Sequence, residues 1–241
     1  LLCEVLDSIN FPKGVINIVH GLGSIVGQAI VEHPKISAIS FTGGPATGKI
    51  VAATAAPMFK KLSLELGGKN ATIILDDADL SIAAQGAARA AFTNSGQVCL
   101  CGSRILVADA IYDEFVEKLV SEVSNMTVGN PQLTDTDIGS VISQEHMNKI
   151  LSYIDLAANE HGRILTGGKQ LSLPKPNADG AFIAPTLIDM LPIDSRCATE
   201  EIFGPVATIH RFNSDEEAIE MANLTQYGLA GSVWTSDTER G

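Results

Sequence analysis

Short apolar runs alternate with glycine turns and helical patterns, and this alternation limits the fold more than any other feature of the 241-residue chain. "VINIV" (15–19), "ISAISFT" (36–42) and "KKLSLELG" (60–67) read as strands. Between them, "GLGSIVGQAIVEH" and "GGPATGKIVAATAA" read as glycine turns that open helices. Strands separated by one helix each pair in parallel, with helices layered on the sheet. Further on, "ATIILDD", "SRILVA", "VATIHRF" and "GSVWTS" read as strands. "ADLSIAAQGAARAAFTNSG", "DEFVEKLVSEVSNM", "EHMNKILSYIDLAANE" and "SDEEAIEMANL" read as helices, the second with Phe115, Leu119, Val120 and Val123 at helical spacing. No fixed-period repeat interrupts the pattern. The class is α/β with a mostly parallel sheet, and a glycine pair near Leu66 to Lys69 divides domains 1–66 and 67–241.

A formal net charge of −12 repels phosphate backbones and anionic lipid, so neither nucleic acid nor membrane is expected as a partner. No apolar run approaches the roughly 20 residues that span a bilayer. The opening "LLCEVLDSINFPKG" carries acidic residues where a secretory leader would be basic. Cys3, Cys99, Cys101 and Cys197 are too sparse for a disulfide scaffold and read as reduced thiols in a cytoplasmic protein. The five histidines are scattered, and no metal site is expected.

Three stretches are candidates for chemistry. "SFTGGPATGKI" nearly spells a phosphate-binding P-loop, but Ile50 stands where a hydroxyl must ligate magnesium. Glu65 is a lone carboxylate in an apolar strand-like run, either an exposed strand-end residue or a general base. "TNSGQVCLCGSR" places Cys99 and Cys101 in a run of small and polar residues, where turns can leave backbone N–H groups free for an oxyanion. Pattern alone does not choose between the two thiols.

"LELGGKN", "NSGQVCLCGSR" and "EEIFGP", in that order, with "FTGG" before and "YGLAGSVW" after, closely resemble the NAD(P)-dependent aldehyde dehydrogenase superfamily. The resemblance covers essentially the whole chain. It implies part of a Rossmann-type cofactor domain followed by an α/β catalytic domain. By position it puts the nucleophile on Cys99 and the general base on Glu65. It puts cofactor contacts on Gly23, Gly27, Thr42, Gly43, Gly44, Gly48, Leu66, Glu201 and Phe203. The implied reaction oxidises an aldehyde through a cysteine thiohemiacetal and thioester, with NAD as cofactor, NADP being compatible, and no metal. "KKLSLELGGKN", "CLCGSRI" and "KLVSEV…VGNP" look most like the 2-aminomuconic semialdehyde dehydrogenase branch, which implies a small semialdehyde substrate. Alternatives are a CoA-acylating relative, against which Glu65 argues, and a non-catalytic structural or binding fragment of the same fold.

The chain reads as a fragment lacking both ends, from a parent that resembles homodimeric and homotetrameric enzymes. The resemblance places an oxyanion Asn, a cofactor-binding Lys and a ribose-binding carboxylate before residue 1. Purified 1–241 is therefore expected to show no NAD-dependent aldehyde turnover when reduced cofactor is followed by absorbance, and measurable turnover would overturn this.

Overall fold

Every residue from Leu1 to Gly241 is described by the computed structural model, and the chain divides into two units, Leu1–Leu66 and Gly67–Gly241. The first unit begins with α1 (Leu2–Ser8) and a π-helical turn, Gly23–Gly27, that runs into α2 (Gln28–Glu32). Strand β1 (Ala38–Thr42), helix α3 (Pro45–Ala55) and strand β2 (Lys61–Glu65) follow. The two strands pair in parallel with Thr42 level with Glu65, so both carboxyl ends lie side by side. Pro45 occupies the first turn of α3, where its missing N–H costs nothing. Lys60 Nζ donates to the carbonyls of Val31 (2.6 Å) and His33 (2.7 Å), satisfying oxygens left free at the end of α2.

The expected strand "VINIV" does not form: residues 15–19 carry no strand structure, and Val15 and Val19 are each 66% exposed. A strand exists through its ladder, and β1 has only β2 beside it. The run instead follows a local turn in which Asn17 Nδ2 donates to the Gly14 carbonyl at 3.0 Å.

The second unit contains β3 (Ala71–Ile74), α4 (Leu80–Phe92), β4 (Arg104–Ala108), α5 (Tyr112–Ser124) and α6 (Gln144–Asn159). It continues with β5 (Arg163–Thr166), β6 (Gln170–Leu171), β7 (Phe182–Ile183), β8 (Thr186–Asp189) and α7 (Arg196–Thr199). It ends with β9 (Val206–Phe212), α8 (Asp215–Ala222) and β10 (Gly231–Trp234). Six strands form one sheet in the order β10-β3-β4-β9-β8-β5, parallel throughout except where β5 joins β8.

Both faces of this sheet are covered, which explains why β4 is apolar after Arg104 and buried along its whole length. Ile105 and Val107 face a core built with Ala84, Ala88, Phe115 and Leu119 of α4 and α5. Leu106 and Ala108 face the opposite core, with Ala218 and Met221 of α8. A third cluster packs Ile150 and Ile154 of α6 on Ile188, Cys197, Ile202 and Val206. The sequence pattern missed β5 to β8 and α7, because these elements are four residues or shorter and carry no period of their own.

Gly231, Ala71, Arg104 and Thr208 lie level across β10, β3, β4 and β9. The loops entering these four neighbouring parallel strands therefore open on one edge of the sheet. Phe115 is fully buried in the largest core. Phe115→Ala should lower unfolding free energy by about 3–5 kcal/mol, measured by urea denaturation, and a loss below about 1 kcal/mol would contradict this packing.

Candidate active site

The four entry loops are 228–230, 67–70, 97–103 and 200–205, and they carry the sequence stretches singled out above. The loop bearing Cys99 is shaped by an abrupt end to α4. Asn94 (φ 51°), Ser95 (φ 57°) and Gly96 (φ 70°) are consecutive left-handed residues, a conformation that Asn and Gly tolerate best. Ser95 Oγ anchors the reversal by donating to the Gly139 carbonyl at 3.0 Å, and Gln97 Oε1 accepts from the Ile142 N–H at 2.9 Å. A tight turn follows, closed by the Cys101 N–H donating to the Val98 carbonyl at 3.0 Å. The N–H groups of Val98, Cys99 and Leu100 donate to no protein atom.

Backbone meets backbone around this turn with no room for side chains. A Cβ on Gly96 would overlap the Gly204 carbonyl of "EEIFGP". A Cβ on Gly68 would sit 2.5 Å from the Cys99 carbonyl oxygen, and one on Gly67 would collide with the Glu201 carboxylate. Glu201 Oε1 accepts from the Gly68 N–H at 3.0 Å, so the carboxylate lies against the glycine pair. Phe203 adopts φ 59° with its ring partly exposed, and its carbonyl lies 2.6 Å from His146 Nε2. Asn70 Nδ2 donates to the carbonyls of Cys99 (2.7 Å) and Cys101 (3.1 Å), while Asn70 Oδ1 accepts from the Ala230 N–H at 3.0 Å.

The four thiols sit in different surroundings. Cys99 is half-buried, Cys3 exposed, and Cys101 and Cys197 buried. Burial pushes the Cys101 thiol up, and its Sγ faces the Thr93 carbonyl at 3.8 Å. Burial likewise pushes Cys197 up to about 11, with Sγ donating to the Tyr153 carbonyl at 3.2 Å. Both are poised to stay protonated at neutral pH. No group of three or more His, Cys, Asp or Glu side chains is disposed to hold a metal ion.

Basic groups that the sequence pattern did not single out lie beneath the entry loops. Arg104 opens β4 and donates to the carbonyls of Lys69 (2.9 Å), Met221 (2.8 Å) and Ala222 (2.7 Å), tying β3 and α8 to the Cys99 segment. Burial lowers it to about 10, so it keeps its charge at neutral pH. Lys69 is fully buried with no hydrogen-bond partner on Nζ, and burial lowers it to about 7. Burial, then the charges of Arg104 and Lys69, lowers His210 to about 4.

In the first unit, Thr42, Gly43, Gly44, Glu65 and Leu66 gather at the carboxyl ends of β1 and β2. The Gly43 N–H donates to the Glu65 carbonyl at 3.0 Å. Gly48 packs on Leu66, whose Cδ2 would lie 2.6 Å from an added Cβ. Glu65 is exposed at the end of its strand. Gly23 and Gly27 bound the π-helical turn and have open space around them.

A half-buried cysteine on a turn with free backbone donors, and a carboxylate laid on the paired glycines of a neighbouring loop, mark this edge of an α/β protein as a candidate site. The sequence model of the aldehyde dehydrogenase family matches residues 1–241. The chain is 46% identical over 242 residues to 2-aminomuconic semialdehyde dehydrogenase of Mus musculus, covering all of this chain and 50% of that protein. It is 43% identical to betaine aldehyde dehydrogenase of Bacillus subtilis, covering 98% of this chain and 48% of that protein. The crystal structure of betaine aldehyde dehydrogenase from Staphylococcus aureus in complex with NAD+ superposes with a TM-score of 0.93. It is 42% identical, with 99% of this chain and 47% of that chain covered. The chain belongs to the aldehyde dehydrogenase family. It spans about half the length of the curated relatives it matches.

Lys69 gives the site a pH signature. The unfolded chain holds this proton up to 10.5, whereas the folded chain releases it above about 7. The unfolded state then binds more protons, so this group raises stability as pH rises through that interval. Cys197, raised from 9.0 to about 11, acts in the opposite sense above 9 and leaves the window from 7 to 9 clear. Lys69→Met should be more stable than the parent chain near pH 7, with the gap narrowing towards pH 9 in urea midpoints. A gap that stays constant would contradict a buried amine that gives up its proton above about 7 in the folded chain.

Proposed function

We propose that this chain is the nucleophile-bearing part of an enzyme that oxidises an aldehyde to a carboxylic acid, with Cys99 as nucleophile and Glu65 as general base. The supporting observation is that the Cys99 turn, Gly96–Cys101, meets two distant segments, Gly67–Asn70 and Glu201–Gly204, so closely that a Cβ on Gly67, Gly68 or Gly96 would collide. The Cys99 thiolate adds to the aldehyde carbonyl, forming a C–S bond and a thiohemiacetal oxyanion. The unpaired Cys99 N–H is available to that oxygen. Collapse of the oxyanion expels hydride and leaves a thioester. Glu65 takes a proton from water, which attacks the thioester carbonyl and releases the acid and the Cys99 thiolate.

The arrangement is compatible with NAD, because Glu201 lies against the Gly67–Gly68 pair and the partly exposed Phe203 flanks the same edge. When bound, it supplies the acceptor for the hydride. Glu201 and Phe203 would hold its nicotinamide end. The Thr42–Gly44 turn, with Gly48, Leu66, Gly23 and Gly27, would hold the remainder. The NAD+ complex of the Staphylococcus aureus relative favours NAD.

The names of several similar proteins favour a small semialdehyde such as 2-aminomuconic semialdehyde as substrate. A cytoplasmic, homodimeric or homotetrameric parent is part of the same proposal, in keeping with four unpaired thiols. No helix is long and apolar enough to cross a membrane.

The decisive experiment is Glu65→Gln in the full-length parent. It should release about one equivalent of reduced cofactor per site in a burst and then stall, with acyl-enzyme visible by intact mass. Undiminished steady-state turnover would sink the general-base assignment.

A further inference from the structure

Asn70 uses every atom of its amide on main chain that surrounds the proposed nucleophile. Its two Nδ2 hydrogens go to the carbonyls of Cys99 (2.7 Å) and Cys101 (3.1 Å), on either side of Leu100. Its Oδ1 accepts from the Ala230 N–H at 3.0 Å, which fixes which end of the amide is oxygen. The side chain is buried, and its own carbonyl accepts from the Arg104 N–H at 3.2 Å, where β4 begins. It therefore joins the entry loops of β3, β4 and β10 at one point.

We propose that Asn70 is a positioning residue that aims the Cys99 thiol, by drawing the Cys99 and Cys101 carbonyls inward and leaving the N–H groups of the turn free beside the sulfur. In a trans peptide the N–H points opposite to the carbonyl. With the Cys99 carbonyl held on Asn70, the Leu100 N–H is directed away from the clamp. The N–H groups of Val98, Cys99 and Leu100 indeed have no protein acceptor. Carbonyl oxygens kept away from a sulfur and N–H groups left near it both favour the thiolate and the oxyanion that follows. Gly68 serves the same clamp, because a Cβ there would push on both the Cys99 carbonyl and the Asn70 amide. The proposal rests on Cys99 being the nucleophile.

The test uses chain 1–241 and iodoacetamide, with alkylation of Cys99 and of exposed Cys3 followed by peptide mass spectrometry across a pH series. Asn70→Leu keeps the size and removes every polar atom; Asn70→Asp keeps the shape and the acceptor but removes the donors. Both should slow Cys99 by about tenfold relative to Cys3 and move its rate profile to higher pH. An unchanged Cys99:Cys3 ratio in either folded variant overturns the proposal, as does slowing in Asn70→Asp alone, which reports only the added charge. Ala230→Pro removes the donor to Oδ1 from a distant loop, leaving Asn70 and Cys99 intact. It should slow Cys99 by about threefold. If neither Asn70 variant folds, an unchanged ratio in Ala230→Pro overturns the proposal by itself. Should Cys99 of the unaltered chain react no faster than Cys3, the nucleophile assignment fails. The clamp is still judged by the variant-to-parent ratio at Cys99.

Discussion

Parallel pairing that holds the first residues of β10, β3 and β4 level with Thr208 of β9 is the constraint on which the rest of the second unit depends. Parallel strands are entered from the same edge, so residues far apart in the chain become neighbours without any long excursion. Gly68 and Glu201 are separated by 133 positions, and Asn70 and Ala230 by 160, yet each pair is in hydrogen-bond contact. Ligands of open α/β sheets more often lie at the carboxyl ends of strands. Here the first unit follows that habit, with Thr42 and Glu65 at the carboxyl ends of β1 and β2. The second unit instead carries Cys99 and Glu201 on loops at the amino ends of its strands.

The close approach has an energetic consequence. Loops meeting backbone to backbone leave buried polar groups that must be paired, and side chains supply several of these pairings. Asn70 satisfies two carbonyls and one N–H, and Arg104 satisfies three carbonyls. Lys69 is the exception, since it has no partner and burial draws it to about 7. Arg104 keeps its charge beneath these loops, whereas His210, drawn to about 4, is neutral at pH 7.

Much of the fold was legible from period and punctuation. The helices α3 to α6 and α8 and the strands β1 to β4, β9 and β10 fall on the runs read from the sequence. The misreading of 15–19 arose because a β-branched run resembles a buried strand, while whether it becomes one depends on a neighbour to pair with. The strands β5 and β8 went unread because four residues are too few to show alternation, and β8, with both faces covered, has none.

The sequence by itself determined the α/β class, the family and the positions that carry its motifs, because local period, turn residues and motif spacing are properties of the chain read in order. It could not choose between Cys99 and Cys101 on pattern, nor mark Asn70, Gly96 or Gly204 as parts of one assembly. Tertiary structure sets the two thiols apart, with Cys101 buried and its thiol raised and Cys99 half-buried, and the strand register brings the buried Asn70 amide against the Cys99 and Cys101 carbonyls. The reason is physical: exposure and hydrogen-bond partners depend on what lies across space, and one residue type serves equally well as a loop polar group or as a clamp.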